Sequence, residues 1–314
     1  MEKIKSLIEG ADSIMILAHK GPDGDAVGSS LALYNAFLKM YKKVDIVIED
    51  VPKIFSFLPN ADKIKESTET DEYDLVVVVD CATYERVGQY ENNYFENAKF
   101  TLNIDHHISN TKYANYNYIS ESSPACCEYL VEIFDNIGIE ITKEIAECLM
   151  VGILTDTGGF QYTNVGEKTY NFASRVSNLI NIPSIYKKVL STKTKAQFEL
   201  TKIAMSRIEL LNNDKIAFTY LKLSDFEETN ASHGDHEGIV NFGRNIEGVE
   251  VSIFVREVEN GLRVSLRGNG KVNVNKIALV FNGGGHRDSS GFDSSLDFET
   301  LKRKLLNVVK DAVK

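Results

Sequence analysis

Three side chains that commonly bind metal ions lie close together near the amino terminus. His19, Asp23 and Asp25 belong to the stretch Ala18–Ala26, which reads A-H-K-G-P-D-G-D-A. A proline and a glycine within it favour a turn, so the three side chains can converge on one point. Two carboxylates and an imidazole in one loop indicate half of a metal site. The alternative is an N-capping turn, in which an aspartate only accepts backbone N–H groups of the next helix; the stretch alone does not decide between them.

Four apolar runs predict the strands that must position these and further polar residues: Ser13–Leu17, Val44–Ile48, Leu75–Val79 and Phe100–Ile104. The runs alternate with helical patterns, which predicts an α/β domain with a doubly wound, mostly parallel sheet. Leu75–Val79 is apolar throughout, as expected for a strand that is covered on both faces. Such sheets bind their ligands beyond the carboxyl ends of the strands.

Further ligand-type residues fall at this predicted edge. Asp80 follows Val79, the triplet Asp105-His106-His107 follows a strand, and Asp156 lies in a small-residue turn after the predicted helix Thr142–Leu154. So many carboxylates in one crevice would repel one another unless divalent cations occupy it. Mixed carboxylate and imidazole ligands suit Mn²⁺, and two ions bridged by one carboxylate, with Asp80 as the candidate, fit the number of ligands. The whole set is His19, Asp23, Asp25, Asp80, His106, His107 and Asp156.

Composition limits the classes of function. A chain of 314 residues predicts two domains. The net charge of -10 argues against a protein that binds long duplex nucleic acid, whereas a short or mononucleotide anion remains compatible. The first fifteen residues contain no signal-peptide core, and no apolar run reaches membrane-spanning length, so we expect a cytoplasmic protein that does not bind membranes. The four cysteines have no C-x-x-C spacing and are expected to be reduced, buried thiols.

The second half predicts a smaller α/β domain after a helical, lysine-rich connector at Ile182–Leu211. Asn260-Gly261 is a strong hairpin signal between two strand-like runs. The predicted strands are Lys215–Leu221, Val249–Val255 and Leu262–Leu266, and the predicted helices are Val274–Phe281 and Phe298–Val313.

A glycine run in this half predicts contact with substrate. Gly283, Gly284 and Gly285 leave the backbone bare, so their N–H groups can approach a phosphate or a base. Arg267 and His286 add donors that suit an anionic nucleotide. Alone, three glycines more often mark a flexible turn.

Five ordered motifs resemble the DHH phosphoesterase superfamily. Four lie in the amino-terminal half: Asp23-Gly24-Asp25, Val79-Asp80, Asp105-His106-His107 and Thr155-Asp156-Thr157-Gly158. The fifth, Asn282–Phe292, resembles the glycine-rich signature of the DHH-associated carboxyl-terminal domain. The resemblance implies a DHH catalytic domain at residues 1–185, a linker at 186–212 and a substrate-binding domain at 213–314.

The resemblance also implies a role for each residue. His19, Asp23 and Asp80 would hold one Mn²⁺, and the other would be held by Asp25, Asp80, His106 and Asp156. His107 would contact the substrate phosphate and support the departing oxygen. Asp105 would fix the tautomer of a neighbouring histidine, with a strand-end capping carboxylate as an equally weighted alternative.

By resemblance to the nanoRNase branch, the chain would hydrolyse very short oligoribonucleotides and 3'-phosphoadenosine 5'-phosphate. Alternatives are an enzyme for cyclic dinucleotides or linear pNpN, a RecJ-like single-strand exonuclease, an inorganic pyrophosphatase and a non-catalytic nucleotide-binding module. One departure from the family pattern bears on substrate choice: Ser289 and Ser290 stand where small residues, commonly alanines, are expected, and Asp288 lies just before them. Formation of a homodimer stays open.

Overall fold

The computed structural model of the protein describes residues 1–70, 72–88 and 91–313. The chain divides into two units, Met1–Thr192 and Lys193–Lys314, each built around its own six-stranded sheet. The predicted fold class is confirmed: the first sheet is parallel and the second is mixed.

The first unit alternates strands and helices. Its strands are β1 (Ser13–Leu17), β2 (Lys43–Val47), β3 (Ile64–Lys65), β4 (Leu75–Val79), β5 (Phe100–Asp105) and β6 (Tyr116–Ile119). Its helices are α1 (Glu2–Gly10), α2 (Gly24–Lys39), α3 (Glu91–Asn97), α4 (Cys126–Ile137), α5 (Lys143–Asp156), α6 (Glu167–Val176) and α7 (Ile182–Tyr186), and a π-helical segment, Lys187–Ser191, follows α7.

The strand order of this sheet is β3-β2-β1-β4-β5-β6, and every neighbouring pair is parallel. From β1 the chain adds β2 and β3 towards one edge of the sheet, and from β4 it adds β5 and β6 towards the other edge. The carboxyl ends of β1 and β4 therefore form the topological switch point, which is where doubly wound sheets bind their ligands.

Burial on both faces explains why β4 is apolar throughout. Leu75, Val77 and Val79 pack into the larger core, whereas Val76 and Val78 pack into a second cluster on the other face. All five side chains are fully buried. Each such burial contributes about 1.5–3 kcal/mol relative to exposure, which makes β4 a rigid base for the residue that follows it.

Helices α2 and α5 approach each other closely because glycines lie at their contact. A Cβ atom on Gly28 of α2 would collide with the carbonyl oxygen of Cys148 on α5. A Cβ atom on Gly152 of α5 would collide with the side chains of Asp25 and Cys127. The close packing keeps the beginning of α2 next to the end of α5.

The second unit has strands β7 (Glu209–Leu211), β8 (Ile216–Leu221), β9 (Val251–Val258), β10 (Gly261–Gly268), β11 (Gly284–Gly285) and β12 (Ser289–Ser294). Its helices are α8 (Lys195–Ser206), α9 (Leu223–Thr229), α10 (Ile239–Arg244), α11 (Val274–Val280) and α12 (Phe298–Ala312). The strand order is β11-β12-β10-β9-β8-β7, in which only β8 and β9 are parallel among the described strands. The predicted hairpin is confirmed, since β9 and β10 pair antiparallel across Asn260-Gly261.

Two further expectations can be compared with the structure. All four cysteines are free and buried, as predicted. Among the described residues, no helix is both long enough and apolar enough to cross a bilayer.

Candidate metal centre

The loop between β1 and α2 carries the first three predicted ligands. His19 is buried and follows β1 closely, whereas Asp23 is exposed and immediately precedes α2. One potential ligand atom from each of His19, Asp23 and Asp80 lies within 4.8 Å of the other two. We call these three residues the His19 group.

Asp23 also caps a helix. Its Oδ1 atom accepts hydrogen bonds from the backbone N–H groups of Asp25 and Ala26, at 3.0 and 3.1 Å. The capping alternative considered for this loop is therefore part of the structure, and the same side chain still belongs to the His19 group. Capping fixes the carboxylate in place while its other oxygen is not used by the cap.

Asp25 is fully buried and held by the amino terminus of α4. Its two oxygens accept the backbone N–H groups of Cys126 and Cys127, at 2.5 and 2.9 Å. These amides are unsatisfied donors at a helix amino terminus, so a carboxylate is a favourable partner for them. The fixed Asp25 forms a second cluster with His106 and Asp156, whose ligand atoms also lie within 4.8 Å of one another. We call this cluster the Asp25 group.

Asp80 lies between the two groups. Its Oδ2 atom is 3.7 Å from His19 Nε2, and its Oδ1 atom is 3.4 Å from His106 Nε2. Its backbone has φ of +50°, a left-handed conformation that aspartate tolerates better than most residues. The turn that follows β4 thus directs Asp80 between the two groups at some conformational cost.

His19 and His106 both direct their Nε2 atoms towards the carboxylates. His19 Nδ1 is 2.9 Å from the carbonyl oxygen of Lys20, and His106 Nδ1 is 3.2 Å from that of Ser123. A carbonyl oxygen accepts but never donates, so both contacts assign the proton to Nδ1. In the neutral form, each Nε2 then presents a lone pair to neighbouring carboxylates, which is the arrangement of a metal-binding histidine.

Asp156 is the last residue of α5. The prediction placed it in a turn after a helix that ends at Leu154, but the helix extends through Asp156. Helical backbone hydrogen bonding continues past Leu154, because the N–H of Thr157 still donates to the carbonyl oxygen of Ile153 at 3.1 Å. Asp156 Oδ2 is 3.4 Å from His106 Nε2, so a helix end rather than a strand end supplies this carboxylate.

Asp105 contacts the third histidine and orders the loop after β5. Asp105 Oδ1 accepts the backbone N–H of His106 and lies 2.8 Å from His107 Nδ1. Its other oxygen accepts a hydrogen bond from Asn110 Nδ2 at 2.6 Å. Asn110 also donates to Asn103 Oδ1 at 2.8 Å. Asp105 therefore makes both the histidine contact and the local backbone contact that were proposed as alternatives.

Crowded carboxylates shift the pKa values of the cluster in opposite directions. Burial opposes charge on His19, but Asp80 and Asp23 outweigh it and raise the pKa of His19 to about 9. Burial and the charge of Asp80 raise the pKa of Asp25 to about 7. Burial and the charge of Asp25 likewise raise the pKa of Asp156 well above its usual value. Burial opposes ionisation of Asp80, yet the neighbouring side chains of His106 and His19 hold the pKa of Asp80 far below its usual value.

The donor set fits divalent cations. Asp80 Oδ1 is buried and accepts no hydrogen bond from the described part of the chain. The two groups offer carboxylate and imidazole ligands in the mixture that first-row divalent ions accept. A cation between the carboxylates would satisfy Asp80 Oδ1 and relieve their mutual repulsion.

The predicted substrate-binding residues lie together in the second unit. Arg267 is on β10 in register with Ser289 of the neighbouring β12, and Gly284 and Gly285 pair with β12 on its other side. His286 begins a tight turn in which its N–H donates to the carbonyl oxygen of Ser289 at 2.7 Å.

Two of the glycines are required by close backbone packing. A Cβ atom on Gly283 would collide with Gly291 and Phe292, and one on Gly285, which has φ of +134°, would collide with the backbone at Ser289. A Cβ atom on Gly284 would meet open space, which leaves this backbone accessible.

Three contributors to the site carried no usable sequence signal. They are the paired amides at the start of α4, the amide of Asn110, and Arg86, whose Nη2 atom lies 3.5 Å from His19 Nδ1. The amides of α4 and Arg86 contact residues that are distant in sequence, and these contacts require the folded sheet. Asn110 contacts Asp105 within the loop that follows β5, where the residue types alone do not indicate the pairing.

Comparison with known proteins identifies the two halves of the chain. The model for the amino-terminal domain of the DHH family matches residues 13–153, and the model for the DHHA1 domain matches residues 213–314. A bifunctional oligoribonuclease and PAP phosphatase NrnA from Thermus thermophilus is 29% identical over 98% of this chain and 92% of its own length. The protein of the same name from Bacillus subtilis is 29% identical over 89% of this chain and 88% of its own length.

Solved structures agree with this assignment. An exopolyphosphatase-related protein from Bacteroides fragilis has a TM-score of 0.88 and 27% identity, over 99% of this chain and 94% of that chain. RecJ from Thermus thermophilus, solved in complex with Mn²⁺, has a TM-score of 0.56 and 14% identity, over 98% of this chain but 54% of RecJ. The similarity to RecJ is one of fold.

Proposed function

Because this chain is a DHH-family protein with a DHH domain followed by a DHHA1 domain, we propose that it is a divalent-metal-dependent phosphoesterase that hydrolyses short oligoribonucleotides to mononucleotides. We propose that it also removes the 3'-phosphate from 3'-phosphoadenosine 5'-phosphate. Relatives that align with nearly the whole chain carry both activities in their name. The observation that carries the proposal is the position of Asp80 between the His19 group and the Asp25 group.

We assign the two groups to two metal ions and propose that both are Mn²⁺. His19, Asp23 and Asp80 would hold one ion, while Asp25, Asp80, His106 and Asp156 would hold the other. When bound, such ions supply an activated water and neutralise charge on the phosphoryl oxygens. The carbonyl oxygens of Lys20 and Ser123 support this assignment, because they keep Nε2 of each ligand histidine available as a donor atom.

His107 is the proposed donor to the departing oxygen. Asp105 contacts its Nδ1 atom at 2.8 Å and so orients the ring, and Nε2 is the atom that we propose donates to the substrate. The carboxylate of Asp105 is itself fixed by Asn110. A correctly oriented ring donates its proton to the leaving alkoxide at a defined position, which water cannot do with the same geometry.

We assign the remaining parts of the chain as follows. Residues 1–185 form the catalytic domain, residues 186–212 connect the domains, and residues 213–314 bind substrate. Arg267, His286 and the glycines at 283–285 would hold the part of the nucleotide that does not react. Their neighbouring strands and the open backbone at Gly284 support this assignment.

The deciding experiment is turnover of a 5'-labelled diribonucleotide by metal-free protein to which Mn²⁺ is added back. We expect mononucleotide products only in the presence of metal. Parallel reactions with pNpN, cyclic dinucleotides, longer RNA and 3'-phosphoadenosine 5'-phosphate rank the substrates. Failure to hydrolyse any of them, with folded and metal-loaded protein, refutes the proposal.

Asp80→Asn tests the proposed bridge. Loss of one negative charge from a ligand that serves both ions should reduce metal content and lower kcat at least about 1,000-fold. Asp62→Asn, at an exposed position, is the matched control and should behave as the wild type. Metal content by mass spectrometry and kcat for the diribonucleotide are the measurements, and a variant with normal metal content and normal rate would remove Asp80 from this role.

A further inference from the structure

An arginine lies beside the metal centre without belonging to the proposed ligand set. Arg86 Nη2 is 3.5 Å from His19 Nδ1. Arg86 is exposed, whereas His19 is only 5% exposed. The guanidinium therefore lies on the Nδ1 side of the His19 ring, at the solvent-facing edge of the His19 group.

The backbone holds Arg86 in this position. The carbonyl oxygen of Arg86 accepts the backbone N–H of Lys20 at 2.8 Å, and Val87 forms an isolated antiparallel bridge with His19. The preceding 3₁₀ turn, Tyr84–Arg86, is anchored by the ring of Tyr84. This ring packs on Phe95 and Tyr113, with centroid distances of 5.0 and 6.0 Å.

Among the described residues, the Arg86 side chain has one contact at hydrogen-bonding distance, the 3.5 Å approach of Nη2 to His19 Nδ1. His19 Nδ1 already carries the proton that points to the carbonyl oxygen of Lys20, so two donors face each other and the guanidinium does not bond to this ring. Within residues 1–70, 72–88 and 91–313, Arg86 has no carboxylate partner at ion-pair distance. A guanidinium with unused donors at the edge of a cluster of carboxylates is placed to bind an anion.

A count of charges indicates which anion. Four carboxylates and two neutral imidazoles make up the proposed ligand set of His19, Asp23, Asp25, Asp80, His106 and Asp156. Four negative charges balance two divalent cations, so the charge of a phosphoryl group would still need a partner. Arginine suits this role because its planar fork can donate to two phosphoryl oxygens at once.

We infer that Arg86 binds a phosphoryl oxygen of the substrate beside the His19 group. This inference rests on the proposed phosphoesterase function and adds a substrate contact from the catalytic unit. Arg86 binds the phosphoryl group in the ground state and in the transition state. Its removal therefore raises KM roughly 10- to 100-fold, with a smaller decrease in kcat.

Binding of inorganic phosphate to the Mn²⁺-loaded protein tests the inference directly. Titration calorimetry would compare the wild type with Arg86→Ala, Arg86→Lys and the control Arg175→Ala, an exposed arginine paired with Asp135. We expect Arg86→Ala to weaken phosphate binding roughly 10- to 100-fold at unchanged metal content, and Arg86→Lys to recover part of the affinity. Arg175→Ala should bind phosphate as the wild type does.

Three results overturn the inference. Wild-type phosphate affinity in Arg86→Ala would show that the guanidinium does not touch the anion. Loss of metal together with phosphate would mean that Arg86 acts through His19. Absence of phosphate binding by the wild-type protein would show that there is no phosphate site for Arg86 to serve.

The same preparations separate this inference from the proposed function, because phosphate affinity requires no turnover. A wild-type protein that binds phosphate through Arg86 but hydrolyses no nucleotide refutes the function and keeps the anion site. If Arg86→Ala has normal turnover and normal phosphate affinity, the proposed function stands and the anion site at Arg86 is refuted.

Discussion

At the scale of single residues, the site is a cluster of carboxylates whose oxygens are already oriented by protein donors. Asp23 accepts two backbone amides of its own helix, and Asp25 accepts two amides of α4. These contacts fix the carboxylates before any ion binds, so little conformational entropy remains to be lost on binding.

Asn110 lies outside the proposed ligand set, yet its replacement should affect turnover. Asn110→Ala removes the donor to Asp105 and should lower kcat about 10- to 100-fold, because Asp105 and the ring of His107 lose a fixed orientation. Asn110→Asp should lower kcat further, since it places a second carboxylate against Asp105.

The measurements for these variants are kcat and KM for the diribonucleotide together with metal content. The matched control is Asn136→Ala, an exposed position where the side chain donates to the carbonyl oxygen of Glu132. A KM effect with normal kcat would instead assign Asn110 to substrate binding.

At the scale of elements, the sequence predicts most of the strands and the ends that carry ligands. β4 coincides with the predicted run because five consecutive apolar residues are typical of a strand that is buried on both faces. β1 also begins and ends where predicted. The end of α5 was wrong by two residues. The glycines after Asp156 favour a turn, but the backbone hydrogen bond from Thr157 to Ile153 continues the helix through Asp156.

The positions that the sequence could not predict depend on contacts between elements. Asp25 meets the amide of Cys126, which lies 101 residues further along the chain, and Arg86 meets His19 across 67 residues. Periodicity and capping signals act within one turn or one helix, so they carry no information on such pairs.

Gly28→Ala tests the close approach of α2 and α5. The added methyl group meets the backbone carbonyl of Cys148, which cannot move without shifting α5. We expect a loss of about 1–3 kcal/mol in the free energy of unfolding of the first unit, despite the better helix propensity of alanine. Metal affinity should fall as well, because α2 carries Asp25 and α5 carries Asp156.

Chemical denaturation and metal titration are the measurements for Gly28→Ala. Gly10→Ala is the control, since a Cβ atom at Gly10 meets nothing within 4 Å. Unchanged stability and metal affinity in Gly28→Ala would show that the two helices can separate without cost.

At the scale of the whole molecule, two units with separate cores divide the proposed work. The proposed metal ligands all belong to Met1–Thr192, and the predicted nucleotide-binding residues all belong to Lys193–Lys314. Each unit has its own buried cluster of apolar side chains, so each can respond to a ligand by itself.

Hydrogen exchange should reveal this division. Addition of Mn²⁺ to metal-free protein should slow amide exchange at 18–26, at 80–88 and at 105–111, because ligand binding stabilises the native form of the unit that binds it. Amides of Lys193–Lys314 should exchange at the same rate until a nucleotide is added. Equal protection of both units by metal alone would mean that the second unit supplies ligands.

The contact between Asp25 and the amides of Cys126 and Cys127 has a consequence for synthesis of the protein. The ribosome releases Asp25 long before α4, so this carboxylate stays without its two amide donors while about 100 further residues are added. Asp156 emerges later still. The nascent chain therefore cannot complete the Asp25 group until α5 has been synthesised, when the first unit can fold as a whole.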